Sequence, residues 1–224
     1  MKRELLVAKL SRLIEERDVH NEVECGKLLA NPEAASVLLP LGTPIVLVDT
    51  ELRTSSGDLD LIVCTDESVA GGDTCRRLYI WELKAPQLPL FRVETKERAS
   101  PTPEFYSAEN QLIHYHAKLA SSEEDRKKFK ILSANDVRIG GIIIGTTRTW
   151  VVSKKSFPKD KANRLAATAR DIRDHIFYGT IHLRLMTWNM VLTDLQAVTA
   201  SHLRFQKSSK AGIPLGAGPC VDEV

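Results

Sequence analysis

Apolar residues recur at Leu5, Leu6, Leu10, Leu13 and Ile14, the spacing that lays one stripe of a helix against a partner surface. Residues 2–17 are therefore expected to form an amphipathic helix. A second helix is expected from Glu22 to about Leu29, where Asn31-Pro32 breaks it and starts a further turn through Leu38. After the turn at Gly42-Thr43-Pro44 the pattern changes. Ile45–Val48, Leu59–Cys64 and Leu78–Leu83 are short apolar runs, partly β-branched, and read as three successive strands. Their connections are short: Ser55-Ser56-Gly57, then Asp66–Asp73 with its Gly71-Gly72 pair. Short connections favour an antiparallel meander.

Pro86, Pro89, Pro101 and Pro103 bracket a polar excursion, after which Ala108, Leu112, Tyr115 and Leu119 mark one face of a helix. Ser121-Ser122-Glu123-Glu124 has the form of a capped start to a further, highly charged helix. Ile139–Ile144 reads as a buried strand bounded by glycines. Residues 160–176 read as a basic helix, Ile181–Met186 as an alternating strand, and 190–206 as a final helix. The order predicts an α/β fold with a mixed sheet and helices on its faces. Residues 1–20 form an N-terminal helix in this reading, 21–207 the main domain, and 208–224 a Gly/Pro/Ser-rich tail expected to be flexible.

Composition narrows this picture only a little. The chain has 224 residues, enough for one domain of generous size with its own core. A formal net charge of +2 does not announce nucleic-acid binding, so a basic surface would have to come from uneven placement. Cys25, Cys64, Cys75 and Cys220 form no Cys-x-x-Cys pair and no His cluster has zinc-ligand spacing, so reduced thiols are expected. Residues 1–6 resemble no signal peptide, and no apolar run reaches the length of a membrane span, so a cytoplasmic location away from membranes is expected.

The segment with chemical content is Gly57-Asp58-Leu59-Asp60, followed by Trp81-Glu82-Leu83-Lys84-Ala85-Pro86. Side chains alternate along a strand, so Glu82 and Lys84 share a face, as do Asp58 and Asp60. If the two strands pair, carboxylates from both converge near one ammonium. Clustered carboxylates repel, and a hard divalent cation removes that penalty; oxygen donors suit Mg²⁺, with Mn²⁺ as a substitute. A metal there can activate water and steady charge on a phosphate. Glu-x-Lys alone is weak, expected about once by chance in such a chain. Here, however, the two charges interrupt the apolar strand Tyr79-Ile80-Trp81.

The order Asp60…Glu82-Leu83-Lys84 after a leading helix resembles the PD-(D/E)XK nuclease superfamily. The chain is most similar to the Shedu-type antiphage nucleases. In that branch Glu-Leu-Lys is followed by a basic residue or Ala and Pro, a helix with Gln and Tyr four apart, a Gly-rich apolar strand and a late Thr-Tyr-like strand end. The counterparts here are Glu82–Pro86, Gln111–Tyr115, Gly140–Gly145 and Met186-Thr187-Trp188, with Glu22…Asn31-Pro32 upstream. The resemblance covers about residues 20–200 and implies a restriction-endonuclease-like αβββαβ core, DNA as substrate, antiviral defence and a homo-oligomer. On this reading Asp60, Glu82, Lys84 and Gln111 are catalytic. Asp60, Glu82 and the Leu83 carbonyl ligate metal, with Glu22 and Asp58 as further candidates; Glu24 is the alternative to Glu22. His114, His116 and the basic stretch Lys154–Arg173 are open to either a site role or a solvated face. A non-catalytic nucleic-acid-binding or assembly module, or a hydrolase of another phosphate ester, remains the alternative.

Overall fold

The computed structural model describes residues 3–16, 21–54 and 57–197. In chain order it contains α1 (Arg3–Glu15), α2 (Glu22–Leu29) and α3 (Pro32–Ala35), then β1 (Ile45–Thr54), β2 (Gly57–Ser68) and β3 (Thr74–Leu83). Two short strands, β4 (Phe91–Val93) and β5 (Ala99–Pro101), precede α4 (Pro103–Ser121) and α5 (Glu123–Lys128). Next come β6 (Val137–Ile143), β7 (Val151–Val152), α6 (Lys159–Arg173), a π-helical turn (Asp174–Tyr178) and β8 (Arg184–Met186). Residues 188–197 are helical; the remainder of the helix expected to residue 206, the tail and Cys220 lie outside the described residues.

The main sheet has the order β1-β2-β3-β6-β8. Strands β1, β2 and β3 form the expected antiparallel meander, whereas β6 pairs parallel with β3 and β8 parallel with β6. The fold is α/β with a mixed central sheet flanked by helices. One core, with Ile62, Ile80, Phe105, Leu112 and Ile142, lies under α4 and α6. The other, with Leu61, Trp81, Leu83 and Trp188, takes Leu6, Leu10 and Leu13 of α1. The apolar face of α1 is thus packed within the molecule, while Leu5 points outward.

Local chemistry sets the element boundaries. Asn31 accepts a hydrogen bond from Glu33 N–H, with Pro32 opening α3. Thr102 caps α4 in the same way ahead of Pro103, and Ser122 caps α5. The β2–β3 hairpin runs well beyond its apolar cores, because Asp66–Arg76 (2.8 Å) and Glu67–Arg77 hold its polar arms together. Strand β1 continues to Thr54 as an edge, and Val46 and Leu47 are exposed on it. The expected strand Ile181–Met186 is shorter: Gly179–Ile181 is a helical turn, His182 adopts φ +56°, and only Arg184–Met186 pairs. The polar excursion contributes β4 and β5 to a small sheet, ordered β5-β4-β7, whose two- and three-residue strands carry no periodicity to read. Among the described residues no helix is long and apolar enough to cross a membrane.

Candidate active site

The β2–β3 register pairs Leu61 with Trp81, so the next step places Asp60 opposite Glu82, at the open end of the hairpin. Asp60 Oδ2 accepts the Leu83 backbone N–H at 2.9 Å and so caps the end of the ladder. Glu82 is buried, and its Oε1 accepts from Lys84 Nζ at 2.7 Å. The same Nζ lies 4.0 Å from Asp60 Oδ2 and 4.0 Å from Glu22 Oε1. Three carboxylates from three elements thus surround one ammonium. Glu22 opens α2 and points into the cluster, where its Oε2 also accepts the Ala85 N–H at 3.1 Å. Glu24 is exposed instead.

The backbone at Lys84 is fixed on both sides. Its N–H donates to Ile143 O at 2.8 Å, and its carbonyl accepts from Trp188 Nε1 at 2.7 Å. These bonds tie the end of β3 to β6 and to the helix that follows β8. Gln87 provides a second tie, since its Nε2 donates to Glu16 O at 2.7 Å and its Oε1 faces the Asn21 N–H at 3.4 Å. The chain thus joins the end of α1 and the start of α2 to the segment after Lys84, which holds Glu22 in place.

The electrostatics follow from the crowding. Burial, then the neighbouring Asp60 charge, pushes the Glu82 carboxyl up to about 8, although Lys84 opposes the shift. Burial works against the Lys84 charge, but Glu82, Asp60 and Glu22 together outweigh it and raise its pKa. Tyr115 of α4 is also raised, by burial and then by the negative field of Glu82 and Asp60, while its hydrogen bond with Gln111 pulls the other way. Tyr115 therefore faces the cluster. It packs on Gly57, where a Cβ would sit 2.9 Å from the ring; the φ of +123° there also favours glycine.

The remaining sequence candidates fall at different distances from this centre. Gln111 is half-buried and reaches Tyr115 and Ser107 (3.5 Å to the latter), bordering the cluster through Tyr115. Asp58 is exposed and opposite Arg53 in the β1–β2 register, one pleat repeat beyond Asp60. His114 is exposed, and His116 bonds Val137 O at 3.1 Å, away from the carboxylates. In the basic stretch, Arg170 pairs with Asp174 and Arg173 with Glu109, so these two brace the fold. The positioning roles of Trp188, Gln87 and Asn21 were not legible as site chemistry. Trp188 stood in the Met186-Thr187-Trp188 motif without a stated role, and Asn21 showed only as a polar residue immediately ahead of a helix start.

Asp60 and Glu82 both approach the Lys84 ammonium, and a buried carboxylate with one ammonium partner has oxygen lone pairs to spare. That donor set fits a hard divalent cation. Among the described residues no group of three or more His, Cys, Asp or Glu side chains is arranged to hold a metal ion. Mg²⁺ does not require such a group, because it keeps several waters and takes one or two carboxylates. No family model matches the chain, and no curated protein matches it.

Proposed function

We propose that this chain is a Mg²⁺-dependent endonuclease of the PD-(D/E)XK type, related to the Shedu-type defence nucleases and acting on DNA. The observation that carries this reading is the convergence of Glu22, Asp60 and Glu82 on Lys84 at the end of β3. Asp60 and Glu82 would hold the metal, with the Leu83 carbonyl between Glu82 and Lys84 as a further oxygen donor. A divalent cation so held supplies a Lewis acid for the phosphate and lowers the pKa of water. Lys84 keeps its proton in this field and presents a positive charge to an attacking water or a phosphate oxygen. Glu22, through its bond to Ala85 N–H, fixes the backbone that carries Lys84. Gln111 and Tyr115 border the opening from α4, and Asp58 stands further out along β2.

DNA as substrate, a role in antiviral defence and homo-oligomer formation rest on the sequence resemblance. The deciding assay is purified protein with plasmid and with linear DNA, in Mg²⁺, in Mn²⁺ and in chelator, beside Lys84→Ala. Cleavage that needs the metal and Lys84 is the expected result. Cleavage that persists unchanged in chelator or in Lys84→Ala overturns the reading. So does a complete absence of cleavage under every condition, which favours a binding module on the same fold.

A further inference from the structure

Strand β8 is short. It pairs only with Gly141–Ile143 of β6, so Val137–Gly140 have no strand neighbour on that side. A groove of about 990 Å³ follows this uncovered edge, bounded by the segment 178–183 and by Leu38–Pro40. It runs beside Arg77, Tyr79 and Trp81 of β3 and the first half of β6, whereas the carboxylate cluster lies at the C-terminal end of β3.

The lining has a consistent character. Arg77, Arg138 and Arg184 contribute three guanidinium groups, and among the described residues no Asp or Glu side chain lines the groove. The β3–β6 register pairs Leu78 with Val137, which brings Arg77 and Arg138 to neighbouring strands. Arg138 is exposed and engages in no ion pair among the described residues. Arg184 stands opposite Gly141, over the Trp81 ring at 5.9 Å, with Nη1 on Leu38 O. Arg77 pairs with Glu67, which also accepts from Tyr79 and Thr65, so the nearest acid is already engaged. The apolar part comes from Leu39, Ile139, Ile181 and Leu183.

Two covered donors lie behind the lining. Trp81 is 1% exposed, and its indole Nε1 has no hydrogen-bond partner; the same is true of Arg77 Nε. Both residues line the groove. An indole N–H can only donate, and leaving it unpaired in the interior is unfavourable. It lies beneath Gly140, where a Cβ would fall 2.2 Å from Nε1. Gly140 packs directly on the indole, and the ring occupies the space a Cβ would take. Three guanidinium groups and an apolar wall call for a ligand rich in anionic acceptors with a flat apolar portion. The volume is at the upper end of what small-molecule sites occupy, roughly 300–1,000 Å³.

We infer that this groove is a second ligand site, for a nucleotide, its phosphates on the three arginines and its base against the apolar wall. The site is independent of the nuclease reading, because it shares no residue with the carboxylate cluster. The test is calorimetric titration of the full chain, in chelator, with AMP, ATP, inorganic phosphate and a short polyglutamate peptide. AMP or ATP is expected to bind at least about tenfold more tightly than phosphate. Arg138→Glu, a change at an exposed and unpaired position, should weaken nucleotide binding about tenfold or more, with the thermal midpoint unchanged. Glu82→Gln should leave it intact. No nucleotide binding at millimolar concentration overturns the inference. Equal affinity for phosphate removes the base-binding part, and tighter binding of the peptide reassigns the groove to an acidic strand. Loss of binding in Glu82→Gln but not in Arg138→Glu places the nucleotide at the carboxylates instead.

Discussion

Glu82→Gln is expected to stabilise the metal-free protein at alkaline pH and to leave it nearly unchanged in mild acid. In the wild type, burial and Asp60 move the Glu82 carboxyl from 4.5 to about 8. A folded-state pKa above the unfolded one means that the folded chain holds this proton more tightly. Between pH 4.5 and 8 the unfolded chain therefore carries fewer protons at this group, and its contribution to stability declines as pH rises through that window. At about 1.4 kcal/mol per pKa unit the decline is at most about 5 kcal/mol. Water entry and relaxation around the ionised carboxylate reduce it. Glutamine has the shape of the protonated acid and keeps an acceptor for Lys84, so near pH 5 the two proteins should denature alike. Near pH 9 the variant should be more stable by a few kcal/mol. Urea denaturation in chelator at about pH 5, 7 and 9 measures this directly. Excess Mg²⁺ should then recover stability in the wild type alone, by the linkage between binding and folding. A stability difference that does not vary with pH, or a variant less stable near pH 9, would refute the account of Glu82 as a buried carboxyl whose ionisation the folded surroundings oppose.

Other changes probe the same centre from different sides. Lys84→Ala removes the ammonium between three carboxylates, so it should bind Mg²⁺ at least as tightly by calorimetry while losing cleavage; wild-type cleavage would reduce Lys84 to a strand-end charge. Gln111→Ala should cut cleavage well beyond any change in stability, which a half-exposed site keeps within about 0.5 kcal/mol; full activity would return Gln111 to a solvated helix face. Trp188→Phe keeps most of the ring but leaves the Lys84 carbonyl without its 2.7 Å donor, a loss of about 1–3 kcal/mol in thermal unfolding. Its cleavage should fall with substrate affinity little changed, and an unaltered midpoint would show that water replaces the indole. Cys25 and Cys64 are buried thiols pushed up to about 12, chiefly by burial, so both should resist alkylation in the native state. Mass spectrometry showing either labelled as fast as in urea would contradict this.

The sequence carried the strands that matter and the pair Glu82-x-Lys84, because strand alternation is a local property. Leu59, Leu61, Trp81 and Leu83 announce two buried strands, and the charged residues between them announce a shared face. The convergence itself was only conditional on pairing, since register depends on how two hairpin arms align. Glu22 and Glu24 were indistinguishable from composition. They differ by about 200° around the helix axis, as α-helical geometry requires, and only packing decides which faces the cluster. The small sheet β5-β4-β7 was illegible for a different reason: strands this short have too few residues to show a period of two.

Longer-range ties are least legible of all, yet they make the site coherent. Lys84 lies just past the end of β3, where an antiparallel hairpin alone would leave its backbone unsupported. The parallel neighbour β6 supplies Ile143 O for its N–H, and the helix after β8 supplies Trp188 Nε1 for its carbonyl. Both partners arrive through crossovers, so neither is encoded near Glu82-Leu83-Lys84. A short motif can therefore specify which charges are present while the rest of the sheet specifies where they stand. The same division explains the burial of Glu82. A local strand would expose it, but its face of the sheet is covered by the core under α4, and the resulting strain on its charge is what a bound cation would relieve.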